Sequence, residues 1–174
     1  MVAKLAAIVV MGVSGAGKST VGKIIAERLS CPFRDADSFH PQANIEKMSR
    51  GAPLTDEDRW PWLRAIAAFI AEHRAAGTTC VVTCSALKRA YRDIVTAGQS
   101  ADVALVYLEG DFDLIHARLA ARKGHFMPTA LLLSQFDALQ PPAPDEHAIT
   151  VSIDAKPEEI AGEALARIAD RTFR

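Results

Sequence analysis

The chain has 174 residues, 49% of them hydrophobic and 24% charged, with a formal net charge of -1. That length suits one domain with a sizeable core, and the composition excludes a disordered or low-complexity chain. The near-neutral balance gives no global reason to expect nucleic acid or an anionic membrane as partner, and no apolar run approaches the ~20 residues of a membrane-spanning helix.

The first apolar run, 5–11, is continuous, as in a strand buried on both faces at the centre of a parallel sheet. It has strand length, and no small-residue cleavage site follows it, so we read no signal peptide and expect a cytoplasmic protein. Directly after it stands Gly12-Val13-Ser14-Gly15-Ala16-Gly17-Lys18-Ser19-Thr20, which has the form G-x-x-x-x-G-K-[ST]. From Lys18 to about Leu29, Val21, Ile24, Ile25 and Leu29 fall on one face of a predicted helix. Strand, loop and helix in that order are the context in which this motif cradles phosphates. The glycines permit positive φ and close approach, successive N–H groups form an anion nest, and the helix N-terminus adds its positive end. Lys18 reaches the β- and γ-phosphates and the Ser19 hydroxyl suits Mg²⁺, so ATP and Mg²⁺ are the expected cofactors.

The segment 33–37 has the pattern of a short second strand ending in carboxylates. Strand alternation predicts Asp35 and Asp37 on one side, at the carboxyl end where an open α/β sheet forms its ligand crevice. Two carboxylates there suit a Mg²⁺ shell and an acceptor hydroxyl, although Asp is equally common at a strand-to-loop exit. A short helix begins near Pro41, and Thr55 with Asp58 signals the cap of a longer helix ending near Ala76-Gly77. His40 alone is more often structural than catalytic, and Trp60 and Trp62 fit either core or site wall. Residues 78–83 are a third, β-branched strand. Lys88, Arg89 and Arg92 follow within about one turn, as a solvated helix face or, at a strand's carboxyl end, as an anion site.

Residues 101–108 form a fourth strand, and Asp111 caps a helix with Leu114, Ile115 and Leu119 inside. Arg118 and Arg122, four apart, are expected on one face. The stretch 122–128 is a basic helix end running into a Gly-containing loop, either a lid that closes over phosphates or an ordinary helix C-terminus. A helix over 128–139, a stiff Pro-rich connector, a fifth strand over 147–153 and a last helix from Glu158 to about Asp170 complete the chain. This alternation predicts a parallel α/β sheet. The three cysteines, Cys31, Cys80 and Cys84, have no C-x-x-C spacing and read as buried free thiols.

Taken together, the phosphate loop and several longer blocks resemble the gluconokinase family of small P-loop kinases over nearly the whole chain. The blocks are 35–41, 44–48, 51–63, 84–93, 125–128 and 132–136. The resemblance implies a three-layer P-loop kinase fold, a five-stranded parallel sheet of order 2-3-1-4-5 flanked by helices, in one domain spanning 1–174. A substrate-binding helical segment would lie over about 38–76 and a lid over about 122–128. It further implies ATP- and Mg²⁺-dependent phosphorylation of D-gluconate to 6-phospho-D-gluconate, and a homodimer. Ala36 departs from a usual glycine, and Val95-Thr96 from a common Leu-Arg pair.

On this footing Gly12 to Thr20 hold the nucleotide, Ser19 and Asp35 the metal, and Asp37 the acceptor hydroxyl. Arg118 and Arg122 would close on the transferring phosphoryl group beside Lys18. A sugar acid also needs a cation for its carboxylate, and Arg59, Lys88, Arg89 and Arg92 are the candidates, with His40 nearby. The turn 154–157 is suspected at the adenine. Competing expectations are a kinase of shikimate, adenylylsulfate or a nucleoside monophosphate, or a P-loop regulatory ATPase.

Overall fold

The computed structural model describes residues 4–98, 101–122 and 128–172. These form five parallel strands in the order β2-β3-β1-β4-β5. They are β1 (Ala7–Met11), β2 (Phe33–Asp35), β3 (Cys80–Thr83), β4 (Val103–Glu109) and β5 (Ile149–Ser152). The helices are α1 (Lys18–Leu29), α2 (Gln42–Ser49), α3 (Asp56–Ala76), α4 (Arg89–Val95), α5 (Phe112–Ala121), α6 (Thr129–Ala138) and α7 (Pro157–Thr172). The expected strand order and flanking helices are therefore the observed ones.

β1 explains its own composition. It pairs with β3 on one side and β4 on the other, Ala7 facing both Cys80 and Val103 in register, and all five of its residues are buried. Its side chains alternate between two cores. Ile8 and Val10 meet Val21 and Ile25 of α1, Ile115 and Leu119 of α5, and Ala161 and Ala164 of α7. Ala7, Val9 and Met11 meet Leu63, Ile66 and Ile70 of α3, and Tyr91 and Val95 of α4. Each such aliphatic side chain withdrawn from water contributes about 1.5–3 kcal/mol, which fixes the three layers and presents the β1–α1 turn at the carboxyl edge of the sheet.

Local chemistry sets the ends. Thr55 and Asp58 form a reciprocal capping box at the start of α3, and Gly77 closes it in the left-handed region with φ 64. Asp111 caps α5 by accepting from the Leu114 N–H. Two expected geometries differ. The second strand stops at Asp35 and the chain enters a 3-10 turn over Ala36–Phe39, so strand alternation does not place Asp37. The cause is Asp35 itself, whose Oδ1 accepts from the Asp37 N–H at 2.9 Å and curls the backbone. Helix α5 ends at Ala121, and Arg122 is already extended at φ -74 and ψ 119, so the shared helical face expected for Arg118 and Arg122 does not form. Of the expected lid segment, 123–127 lies outside the described residues.

Candidate active site

The β1–α1 loop wraps around its own interior. Gly15 and Gly17 sit at φ 83 and 90, where a side chain is strained. A Cβ on Gly15 would lie 2.7 Å from Leu119 Cγ, so the loop also needs this glycine to lie against α5. Lys18 turns back and donates to the Val13 carbonyl at 3.0 Å. Burial pushes its ammonium below the ordinary lysine value, partly opposed by Cys84, Asp35 and Asp37 and reinforced by Arg122.

Opposite the loop stand the two carboxylates. Ser19 Oγ donates to Asp35 Oδ2 at 2.8 Å, while the other Asp35 oxygen holds the Asp37 N–H. Asp35 thus joins the first turn of α1 to the 3-10 turn that carries Asp37. Trp62 secures that turn from α3, its indole Nε1 donating to the Ala36 carbonyl at 2.7 Å from a buried position. The undecided Trp62 is therefore both core and site wall, whereas Trp60 packs edge-on against Tyr91.

A cleft of about 600 Å³ results, lined by the loop, Asp35, Asp37, Trp62, Cys84, Ser85, Arg122 and Gln135. Burial pushes the Cys84 thiol up to about 12, so it is a neutral wall beside Lys18 rather than a nucleophile. A second hollow of about 330 Å³ shares Gly15, Gly17, Thr20 and Arg122 with the first and continues past Arg118 to Ala155 and Pro157. Arg118 is held there by the Ile153 carbonyl, to which Nη2 donates at 2.6 Å. Arg122 thus faces both spaces and Arg118 only the second.

The expected cationic run fans apart. Arg92 is buried, with Nε and Nη2 on Glu146 at 2.6 and 3.0 Å and Nη1 on the Ala86 and Leu87 carbonyls. Its guanidinium is fully engaged inside the protein and lines neither hollow. Arg89 points outward and is bidentate with Asp145. Lys88 approaches Asp56 at 3.2 Å, and Asp56 also receives the Tyr91 hydroxyl and lies 3.7 Å from Arg59. This group of two cations, one phenol and one carboxylate sits at the start of α3, whose first turn also carries Glu57 and Asp58. Its proton balance follows from the contacts. Tyr91 and Lys88 hold the Asp56 carboxyl below its ordinary value, and Asp56 in turn raises Lys88.

His40 stacks on Trp62 with centroids 4.4 Å apart and 11° between planes. Burial lowers its pKa, Asp37 opposes that and Arg59 adds to it. Asn44 fixes it, donating through Nδ2 to the Asp58 carbonyl at 2.9 Å and contacting His40 Nδ1 at 3.3 Å. Asn44, Asp56, Ser85 and Gln135 escaped the sequence reasoning. Only the phosphate loop carries a local spacing signal, and these four act through contacts between distant segments.

A phosphate-binding loop on a parallel sheet, facing strand-end carboxylates across one cleft, defines a P-loop kinase. A family model described as shikimate kinase matches residues 14–169. The chain is 44% identical to the probable gluconokinase of Mus musculus, over 91% of this chain and 95% of the other. It is 45% identical to the thermoresistant gluconokinase of Escherichia coli K12, over 90% of each. The crystal structure of a gluconokinase from Sinorhizobium meliloti 1021 superposes with a TM-score of 0.86 at 44% identity, covering 99% of this chain and 95% of that one. A shikimate kinase from Aquifex aeolicus, at 15% identity and a TM-score of 0.59, shares the fold. The chain belongs to the gluconokinase family.

Proposed function

We infer that this chain is a gluconokinase, transferring the γ-phosphoryl group of ATP to D-gluconate to give 6-phospho-D-gluconate. The observation that carries the assignment is the cleft that brings Ser14, Gly15 and Gly17 to Thr20 of the phosphate loop together with Asp35 and Asp37, in a chain of this family. Phosphoryl transfer asks a protein mainly for positioning and charge neutralisation, and the cleft is built for both.

The loop amides hold the triphosphate, and Lys18 exchanges its Val13 carbonyl for phosphate oxygen. Ser19 and Asp35 would hold Mg²⁺, since their hydroxyl and carboxylate oxygens already lie together and are hard donors. Bound Mg²⁺ supplies neutralisation of the charge that develops on the phosphate oxygens. Asp37 orients and deprotonates the acceptor hydroxyl, its backbone fixed by Asp35 and its turn by Trp62. Arg122 neutralises charge at the junction of the two hollows. Arg118 with Pro157 and Ala155 supports a nucleobase in the second, where a planar guanidinium and a rigid ring suit a flat heterocycle. Arg59 and Lys88 serve the substrate carboxylate. The helical segment 38–76 is the acceptor side, and the described part of the expected lid is Arg122 and Pro128. The homodimer and the cytoplasmic location rest on the resemblance and the sequence. No helix among the described residues is long and apolar enough to cross a membrane.

The test is a coupled ADP-release assay on the wild type, Lys18→Ala and Asp37→Asn with gluconate, shikimate, adenylylsulfate and nucleoside monophosphates. Gluconate-dependent turnover is expected, abolished by Lys18→Ala. Asp37→Asn should lower kcat on the order of a hundredfold, about 3 kcal/mol, with little change in the ATP KM. The shikimate kinase family match makes shikimate the informative counter-substrate. Turnover with shikimate and none with gluconate refutes the assignment.

A further inference from the structure

Gln135, on α6, reaches the third residue of the phosphate loop from 121 positions away. The Ser14 N–H donates to Gln135 Oε1 at 2.7 Å, and Gln135 Nε2 donates to Ser14 Oγ at 2.9 Å. A backbone N–H only donates, so the first bond fixes which end of the carboxamide is oxygen. The second bond then makes Ser14 Oγ an acceptor toward α6, and the hydroxyl's own proton is left for another partner. Among the described residues that proton has no protein acceptor. Ser14 and Gln135 both line the cleft that holds Lys18, Asp37 and Arg122. Ser14 therefore stands at the edge of the space through which, on the kinase assignment, the transferring group passes.

We propose that Ser14 is a catalytic residue whose hydroxyl donates to the phosphoryl group in transit, and that Gln135 is the positioning residue that turns this proton into the cleft. The inference rests on the kinase assignment above. In the step itself the P–O bond to the nucleotide's β-phosphate breaks and a P–O bond to the acceptor oxygen forms. The acceptor proton leaves through Asp37, and Ser14 keeps its proton, contributing one hydrogen bond to the charge on the phosphoryl oxygens.

The two residues can be separated experimentally from a structural tie. Ser14→Ala removes the donor and should lower kcat on the order of tenfold to a hundredfold, leaving the Mg·ATP Kd from calorimetry and the gluconate KM little changed. Q135E still accepts the Ser14 N–H, so Tm should hold. Its carboxylate, however, attracts the Ser14 proton away from the cleft. The kcat deficit of Q135E relative to wild type should therefore be large at about pH 8 and narrow toward about pH 5, as the introduced carboxyl approaches its ordinary pKa of about 4.3 and regains a donor. Direct repulsion between the introduced carboxylate and the phosphates would act equally without the Ser14 hydroxyl, so the pH-dependent deficit should be present in Q135E relative to wild type and absent from S14A/Q135E relative to Ser14→Ala.

Wild-type kcat in Ser14→Ala overturns the proposal, as does a Q135E deficit that is absent or independent of pH. A loss confined to the Mg·ATP Kd does the same, because it would make Ser14 a ground-state ligand. If the wild type transfers nothing to gluconate, the kinase assignment falls first, and that failure is visible before any variant is made.

Discussion

Replacing Arg92 by Met isolates a buried carboxylate. Arg92 and Glu146 each have side chains only 1% exposed, and the guanidinium bonds both carboxylate oxygens and two backbone carbonyls. After the substitution Glu146 keeps the Ala143 N–H at 2.8 Å but loses its counter-charge, and the Ala86 and Leu87 carbonyls lose their donor. Removing one partner of a buried pair costs about 3–5 kcal/mol, a large share of the ~5–15 kcal/mol that holds a domain together. At about 2–4 °C per kcal/mol for a chain of this size, Tm should fall by roughly 6–20 °C. The pair R92M/E146L, which removes both charges, should recover much of that loss.

Urea unfolding followed by circular dichroism, run as a double-mutant cycle, measures both terms. Acid provides an independent check. Burial pushes Glu146 up, but its bonds from Arg92 and Ala143 outweigh this and leave its pKa below the ordinary value. A carboxyl lowered on folding contributes stability that is complete above its unfolded pKa and is lost as pH falls through the folded one. The wild type should lose stability in that acidic window, and R92M/E146L should lose less there. If R92M unfolds like the wild type and instead raises the gluconate KM, Arg92 is a ligand and its buried placement is wrong.

Trp62→Phe keeps the ring but deletes the donor to the Ala36 carbonyl. It should cost about 1–3 kcal/mol of stability and lower kcat through the Asp37 turn, checked by unfolding and steady-state kinetics together; an unaltered kcat would free Asp37 from Trp62. Asp58, held at about 2 chiefly by Lys47 and then by Thr55, contributes stability that is present above the ordinary carboxylate range and lost as pH falls toward 2. Asp58→Asn should flatten that part of the acid-unfolding curve, and an identical curve would exclude the capping box from acid sensitivity.

The phosphate loop and the alternation of strands and helices were legible because each depends on short-range pattern, whereas the strand order came from the family resemblance. A continuous apolar run must be buried on both faces, and three glycines before Lys18-Ser19 suit few other loops. What was not legible has two physical sources, partners distant in the chain and side chains that compete locally for the backbone. Lys88, Arg89 and Arg92 find Asp56, Asp145 and Glu146, which lie 32, 56 and 54 residues away. Helical spacing cannot reveal those counter-charges, so a run that reads as one basic patch resolves into three unrelated environments. Asp37 lines the same cleft as Asp35, as expected, but from a 3-10 turn rather than a strand, because the Asp35 side chain competes with the ladder for backbone N–H groups. Gln135 lay within a recognised block, yet nothing in its neighbours tells that it reaches Ser14.

The position of β1 also has a bearing on synthesis. Its partners are β3 and β4, so during synthesis this strand has no neighbour until residue 80 and is not enclosed until residue 103. A nascent chain halted between those points carries a complete phosphate-loop sequence on a strand with one raw edge, the kind of surface that recruits chaperones or a second unfinished copy. The phosphate loop is therefore enclosed only after β3 and β4 have been made, although its own residues precede both.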